Sequence, residues 1–197
     1  MRFLFLLLIT SCITFSSYGQ GIMVGGRAGV NFGTMTHPTL NLTPDVGIEA
    51  GIIFEAATSR IFSLQPEVNL VLHRTMTGGE KINMTYVDVP ILFKFSTGNK
   101  WRLFANVGPT VSLLLNVDGN AAYTPFGVAA SEANADLNWY DYYRERNIGL
   151  TAGLGFAVDN FLLEGRYMLG GSNLSAVEDI TITTSRFNMT AAYILVF

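Results

Sequence analysis

Three groups of side chains in this 197-residue sequence could do chemistry. A hydrolytic set needs a nucleophile, a base and an acid that orients the base. The candidates are Ser112, His73 near the outer end of its segment, and a carboxylate from a loop, because His37 stands beside Pro38 in a loop-like stretch. No nucleophile-and-base motif accompanies them, so catalysis ranks third among the readings weighed below. The second group is ionic: Arg27, Lys94, Arg102, Arg166 and Arg186 against Glu49, Glu55, Glu67, Asp88 and Glu164. Each sits on the polar face of a segment whose other face is apolar, and five charges of each sign predict internal pairing. The third is Trp139, Tyr140, Tyr142 and Tyr143, an aromatic cluster suited to binding near the end of the longest irregular stretch, 117–145. Cys12 is the single cysteine and falls in the N-terminal leader, which excludes disulfides and thiolate metal sites from the mature chain. No cofactor and no enzyme activity are expected.

The segments that hold these residues alternate with a period of two, the side-chain repeat of a β-strand with two different environments. In the last one, residues 185–197, Phe187, Met189, Ala191, Tyr193, Leu195 and Phe197 share one face, while Arg186, Asn188 and Thr190 share the other. Seven more segments follow the rule: 21–32, 46–57, 61–74, 82–95, 101–116, 146–158 and 161–171. Within 146–158 the Gly149-x-x-x-Gly153 spacing resembles a helix-pairing motif, but the strict alternation around it predicts a strand. No charged residue lies on the apolar face of any segment; ten lie on the polar faces, and the remainder are in loops, turns or strand ends. A lipid-facing wall enforces that sorting, since exposing Arg or Lys at mid-bilayer costs about 2–4 kcal/mol. A soluble eight-stranded barrel of the lipocalin kind would point its apolar side chains inward instead.

The expectation is therefore an all-β, eight-stranded antiparallel up-and-down transmembrane barrel. Connections after the second, fourth and sixth strands read as short, those after the first, fifth and seventh as long, and the one at 75–81 as intermediate. That asymmetry predicts short periplasmic turns and long extracellular loops. Phe54, Phe62, Phe95, Trp101, Phe161 and Phe197 fall near the short-turn ends, as an interfacial aromatic girdle would. Residues 1–19 read as a cleaved signal peptide, with Arg2, an apolar stretch, and small residues before Gln20, leaving 20–197 as the barrel domain. The alternative is a lipobox with Cys12 lipidated; the shortness of such a leader and the apolar residues beyond it weigh against this. Removing Arg2 leaves 11 basic and 15 acidic residues, a net charge of −4 with no footprint for nucleic acid.

Four stretches, VGGRAGVNFG (24–33), LQPEVNL (64–70), YVDVPILFKF (86–95) and VGPTVSLLL (107–115), together with 148–171 and the terminal strand, resemble the PorT-type outer-membrane β-barrel family. The resemblance spans essentially the whole mature chain. It implies an integral outer-membrane barrel of the porin-like group, and a possible link to protein secretion, with no functional residues carried over.

An eight-stranded barrel is barely wide enough for its own side chains. Inward glycines at 25, 29, 47, 51, 108, 149, 153 and 155 would make room for long ionic groups, predicting a largely plugged, charge-paired interior. The expected role is a structural or interaction scaffold acting through its loops. A narrow porin is the second reading and a lipid-modifying hydrolase the third. Loop-side charges sum to −5, which suits a partner or simple solvation beside lipopolysaccharide and its divalent cations. Expected partners are outer-membrane lipid and lipopolysaccharide, the barrel-assembly machinery through the strand ending at Phe197, and a secretion-system or other envelope protein.

Overall fold

A computed structural model describes residues 21–36, 43–77, 80–119, 144–175 and 181–196. Eight strands run in chain order: β1 (Ile22–Thr36), β2 (Thr43–Ala57), β3 (Phe62–Thr77), β4 (Glu80–Gly98), β5 (Trp101–Gly119), β6 (Arg146–Val158), β7 (Phe161–Gly170) and β8 (Thr183–Val196). Every neighbouring pair is antiparallel, and β8 pairs with β1 to close the barrel. Closure leaves no unpaired strand edge, the condition for a sheet to sit in hydrocarbon. The leader, 1–19, lies outside the described residues.

The stagger can be read from the pairing. From Ile22 the facing partners in register run through Ala56, Leu64, Phe93, Val107, Ala152, Tyr167 and Phe187 and return to β1 at Phe32, ten residues further on. A stagger of this kind obliges the strands to tilt, typically by ~35–45° in a closed barrel. It also decides which residues from different strands share a level.

The alternation predicted from sequence holds around the wall. Ile52, Leu70, Leu113, Leu154, Leu163 and Met189 are exposed, whereas Arg27, Glu67, Asp88, Arg166 and Arg186 are 5% exposed or less. This inversion of a soluble protein's burial suits acyl chains outside and ions inside. At the short-turn end Phe62 packs against Phe95 (5.3 Å between ring centroids) and Phe161 against Tyr193 (4.8 Å). Phe197 lies outside the described residues.

Several boundaries differ from the sequence expectation. The 75–81 stretch is mostly strand: the β3–β4 ladder continues through Thr75↔Ile82 to Thr77↔Glu80. β5 runs past Asn116 to Gly119, because a bulge beside Thr85/Tyr86 shifts the register and turns Val117 inward, 6% exposed. Between β6 and β7 the two-residue turn is as expected, with Asp159 at φ 52°, a left-handed conformation that Asp tolerates better than most residues.

Inside, two apolar layers bracket the ions. At the turn end Ile53, Phe104, Ala157, Leu162 and Ile194 pack together, with Met23 and Ala192 against them. At the loop end Met35, Val71, Ile82, Met84, Tyr86, Leu114 and Val117 are joined by Leu174 and Ile182. Those last two come from the described ends of the β7–β8 connection and pack into the mouth. Leu174 N–H donates to the Ile182 carbonyl (2.9 Å), and Asn173 Oδ1 accepts from the backbone N–H of Ser175 (2.9 Å) and of Ile182 (2.8 Å). A charge on the outer wall should be costly in proportion to depth. Ile52→Arg is expected to lower stability in lipid vesicles by about 2–4 kcal/mol in equilibrium urea unfolding.

Candidate functional site

Strand alternation aims charged side chains into a space with no bulk water, where each must find a partner or be very costly. Glu67 on β3 is the hub. It accepts from Arg27 Nη1 of β1 (2.6 Å), from both terminal nitrogens of Arg166 of β7 (2.7 and 2.7 Å), from Gln65 Nε2 (2.5 Å) and from Asn69 Nδ2 (3.0 Å). The fork-on-carboxylate geometry of Arg166 is the strongest form of such a pair. Arg27 Nη2 also reaches Glu49 Oε1 and Thr190 Oγ1, both at 2.9 Å, and Asn188 Nδ2 donates to Glu49 Oε2 (2.6 Å). Arg166 Nε lies 2.6 Å from Glu164 Oε1, which also accepts from Asn106 Nδ2.

Two further clusters flank the hub. Arg186 pairs with Asp88, donates to Met168 Sδ (2.8 Å) and stands 5.7 Å from the Tyr86 ring centroid. Toward the turns, Lys94 Nζ donates to Glu55 Oε2 (2.8 Å) and lies 4.5 Å over the Phe104 ring, and Ser63 Oγ donates to Glu55 Oε1 (2.7 Å). Glycine makes room where it matters most. A Cβ at Gly153 would stand 2.7 Å from Arg166 Cγ and 2.9 Å from Glu164 Oε1, and one at Gly33 would strike the His73 ring.

Nine of the ten predicted interior charges are thus brought into one connected or adjoining set of pairs. Arg102 is the correction. Its position has the inward phase, but it lies at the turn end, half-buried, and donates to the Asp159 backbone carbonyl (3.1 Å) instead of an interior acid. Sequence reasoning missed the polar partners Asn69, Asn106, Asn188 and Thr190. Their inward phase was a usable signal; their contacts across the barrel were not.

His73 and Ser112 do line one cavity, with Tyr86, Asn147, Met168, Thr184 and Arg186. Both are almost fully buried, neither His73 nitrogen nor Ser112 Oγ makes a hydrogen bond, and the free space is about 10 Å³, roughly one water. The nucleophile–base hydrogen bond of a triad is not formed here. Trp139, Tyr140, Tyr142 and Tyr143 lie outside the described residues.

A closed barrel of eight strands, apolar outside and ion-paired within, has counterparts among known proteins. The family model described as outer membrane protein beta-barrel domain matches residues 15–175. The chain belongs to that family. It is accordingly a protein of the outer membrane. Similar solved structures include the outer membrane protein OprG from Pseudomonas aeruginosa (12% identity, TM-score 0.51, covering 90% of this chain and 96% of that one). Neisserial surface protein A is 10% identical with a TM-score of 0.51 over 86% and 96% of the two chains. The outer membrane enzyme PagL is 11% identical with a TM-score of 0.51 over 85% and 98%. At such identities the likeness is one of fold. No curated protein matches the sequence significantly.

Within this family barrel, the Glu67 hub and the displaced Arg102 make opposite forecasts. Arg166→Ala leaves Glu67 and Glu164 without their shared cation and is expected to cost about 3–5 kcal/mol in urea unfolding. Arg102→Ala removes one contact at an exposed rim and should shift stability by no more than about 0.5 kcal/mol.

Proposed function

We propose that this barrel is a closed scaffold of the outer membrane that acts through its loop end and does not conduct solutes. The observation that supports this reading is the stacking inside: an apolar layer, a paired ionic layer and a second apolar layer, the last partly supplied by the β7–β8 connection. Solute selection in a channel is better served by a lumen biased to one sign of charge and continuous with water at both ends. A hydrolase reading finds less support, because His73 and Ser112 are buried, make no hydrogen bond and have about 10 Å³ between them and their neighbours.

Partners follow from this role. The outer wall meets outer-membrane lipid, the loop rim meets lipopolysaccharide, and β8, with its apolar outer face, is the strand offered to the barrel-assembly machinery. The segment 134–143, with Trp139, Tyr140, Tyr142 and Tyr143, is the docking element for an envelope protein; long loops on a rigid frame are where binding usually resides. The finer placement in the PorT-type branch rests on the LQPEVNL and YVDVPILFKF stretches, and it makes a secretion-system component the partner class to try first.

Two measurements test these statements separately. Purified protein refolded into planar bilayers should be electrically silent; steady conductance well above leak would replace the scaffold with the narrow porin. Deleting 134–143 should abolish capture of a loop-bound envelope protein while the barrel still inserts, and unchanged capture would remove that segment from the binding surface.

A further inference from the structure

The short-turn end of the barrel carries positive charge that the chain leaves unanswered. Arg60 lies in the β2–β3 turn, Lys100 in the β4–β5 turn and Arg102 at the start of β5. Among the described residues, Asp159 is the carboxylate left to oppose them, since Glu55 is already spent on Lys94. Three cations against one carboxylate leave this rim at +2. Arg102 is half-buried and donates to the Asp159 backbone carbonyl, whereas Arg60 and Lys100 are exposed and make no ion pair among the described residues. Their turns are neighbours. The Ile61 carbonyl accepts from the Ser96 N–H (2.8 Å), which sets Arg60 one strand spacing, about 4.8 Å, from the strand that turns at Lys100.

Between these turns and mid-wall the outer surface is hollowed. Ala105 faces Phe95 across one ladder and Leu154 across the other, so a small side chain lies between two large ones. Leu154, 71% exposed, stands up as the far side of the groove. Ile61, Thr97 and Leu103 carry the groove down to the rim, and its open space is about 330 Å³. That is room for a stretch of acyl chain rather than a single methyl group. Trp101 gives the depth. It shares the outward face of β5 with Leu103 and Ala105 and is strongly exposed, and Trp is enriched at the membrane–water boundary. The groove therefore lies in hydrocarbon, and the free cations stand at the level of the headgroups.

We propose that this part of the wall binds one anionic phospholipid of the periplasmic leaflet, its phosphate held by Arg60 and Lys100 and one acyl chain laid in the groove over Ala105. Charge selects the headgroup: a rim at +2 attracts a phosphodiester, and a zwitterionic lipid would bring its own cation against Arg60 and Lys100. The groove selects the rest of the ligand, because an apolar trough continuous with a cationic rim matches a lipid and offers a free phosphate nothing. The leaflet follows from the side, since short turns of outer-membrane barrels face the periplasm, opposite the lipopolysaccharide expected at the loops. The inference rests on the outer-membrane placement of the chain and is independent of whether the interior conducts.

The experiment uses the full mature chain refolded in detergent and mixed with equal amounts of phosphatidylglycerol and phosphatidylcholine of the same acyl chains. Native mass spectrometry should show one phosphatidylglycerol retained per barrel, about five- to tenfold over phosphatidylcholine. The double variant Arg60→Ser/Lys100→Ser should bring that ratio close to one. Ala105→Phe fills the groove without touching the charges and should lower retention of both lipids. All three positions lie on the rim or the outer wall, away from the ionic interior, and the unaltered chain decides alone if a variant fails to refold. Equal retention of the two lipids overturns the proposal, as does a preference that survives the double variant. Retention indifferent to Ala105→Phe would leave only diffuse attraction to the rim and overturn the seated chain. Lipid A retained ahead of phosphatidylglycerol, and released by the double variant, would give the site to lipopolysaccharide and overturn the leaflet assignment.

Discussion

Hydrocarbon on the outside of the wall is the constraint from which the rest follows. A strand offers two faces, and when one is given to acyl chains every ion must go to the other. In a barrel of eight strands that other face encloses a space only about as wide as the side chains themselves. Charges placed there have no water to fall back on, so they must neutralise one another across the barrel. Glu67 receiving Arg27 from β1 and Arg166 from β7 is the direct expression of that requirement. The pairs also tie strands that are not neighbours in the sheet, which a hydrogen-bonded ladder alone cannot do.

The asparagines and threonines extend the same logic. A carboxylate offers more lone pairs than one guanidinium can satisfy, and Asn69, Asn106 and Asn188 supply the further donors to Glu67, Glu164 and Glu49. Each spends its amide nitrogen on a carboxylate and is left with a carbonyl oxygen facing the interior. The middle of the barrel is consequently rich in acceptors. The apolar layers at each end keep bulk water from relieving that imbalance, so sealing the interior and concentrating unpaired oxygens are two consequences of one arrangement.

Alternation made the wall legible. Strands such as β3 and β8 have strict two-residue periodicity, and the inward phase of Glu67, Arg166 and Arg186 could be read from their apolar neighbours. What alternation does not encode is height. Arg102 has the same phase as Asn106, but it is the second residue of β5, one step past the short turn, so its place in the strand sets it at the rim where phase alone put it inside. Leu174 and Ile182 were illegible for a different reason. They lie in a connection that mixes polar and acidic residues with isolated apolar ones and has no sustained period, and only their packing against the mouth makes them core. The bulge beside Tyr86 likewise reverses the phase of Val117 without a proline or glycine to mark it.

How firmly the interior is shut can be judged from magnitudes. Separating one buried partner from its counter-ion costs about 3–5 kcal/mol when the remaining charge stays dry. At roughly 1.4 kcal/mol per factor of ten, that alone confines such a state to about one molecule in a hundred to one in several thousand. Arg27 and Arg166 share Glu67, so their losses would not simply add. Water entering to hydrate the freed ions would soften the cost, but it can enter only if Leu174 and Ile182 leave the mouth or the Phe104 and Leu162 layer parts at the turn end. Each of those movements exposes apolar side chains that are now almost fully buried. The cheapest parts to move are the described residues of the β7–β8 connection around Leu174 and Ile182, held by a few hydrogen bonds rather than by a ladder.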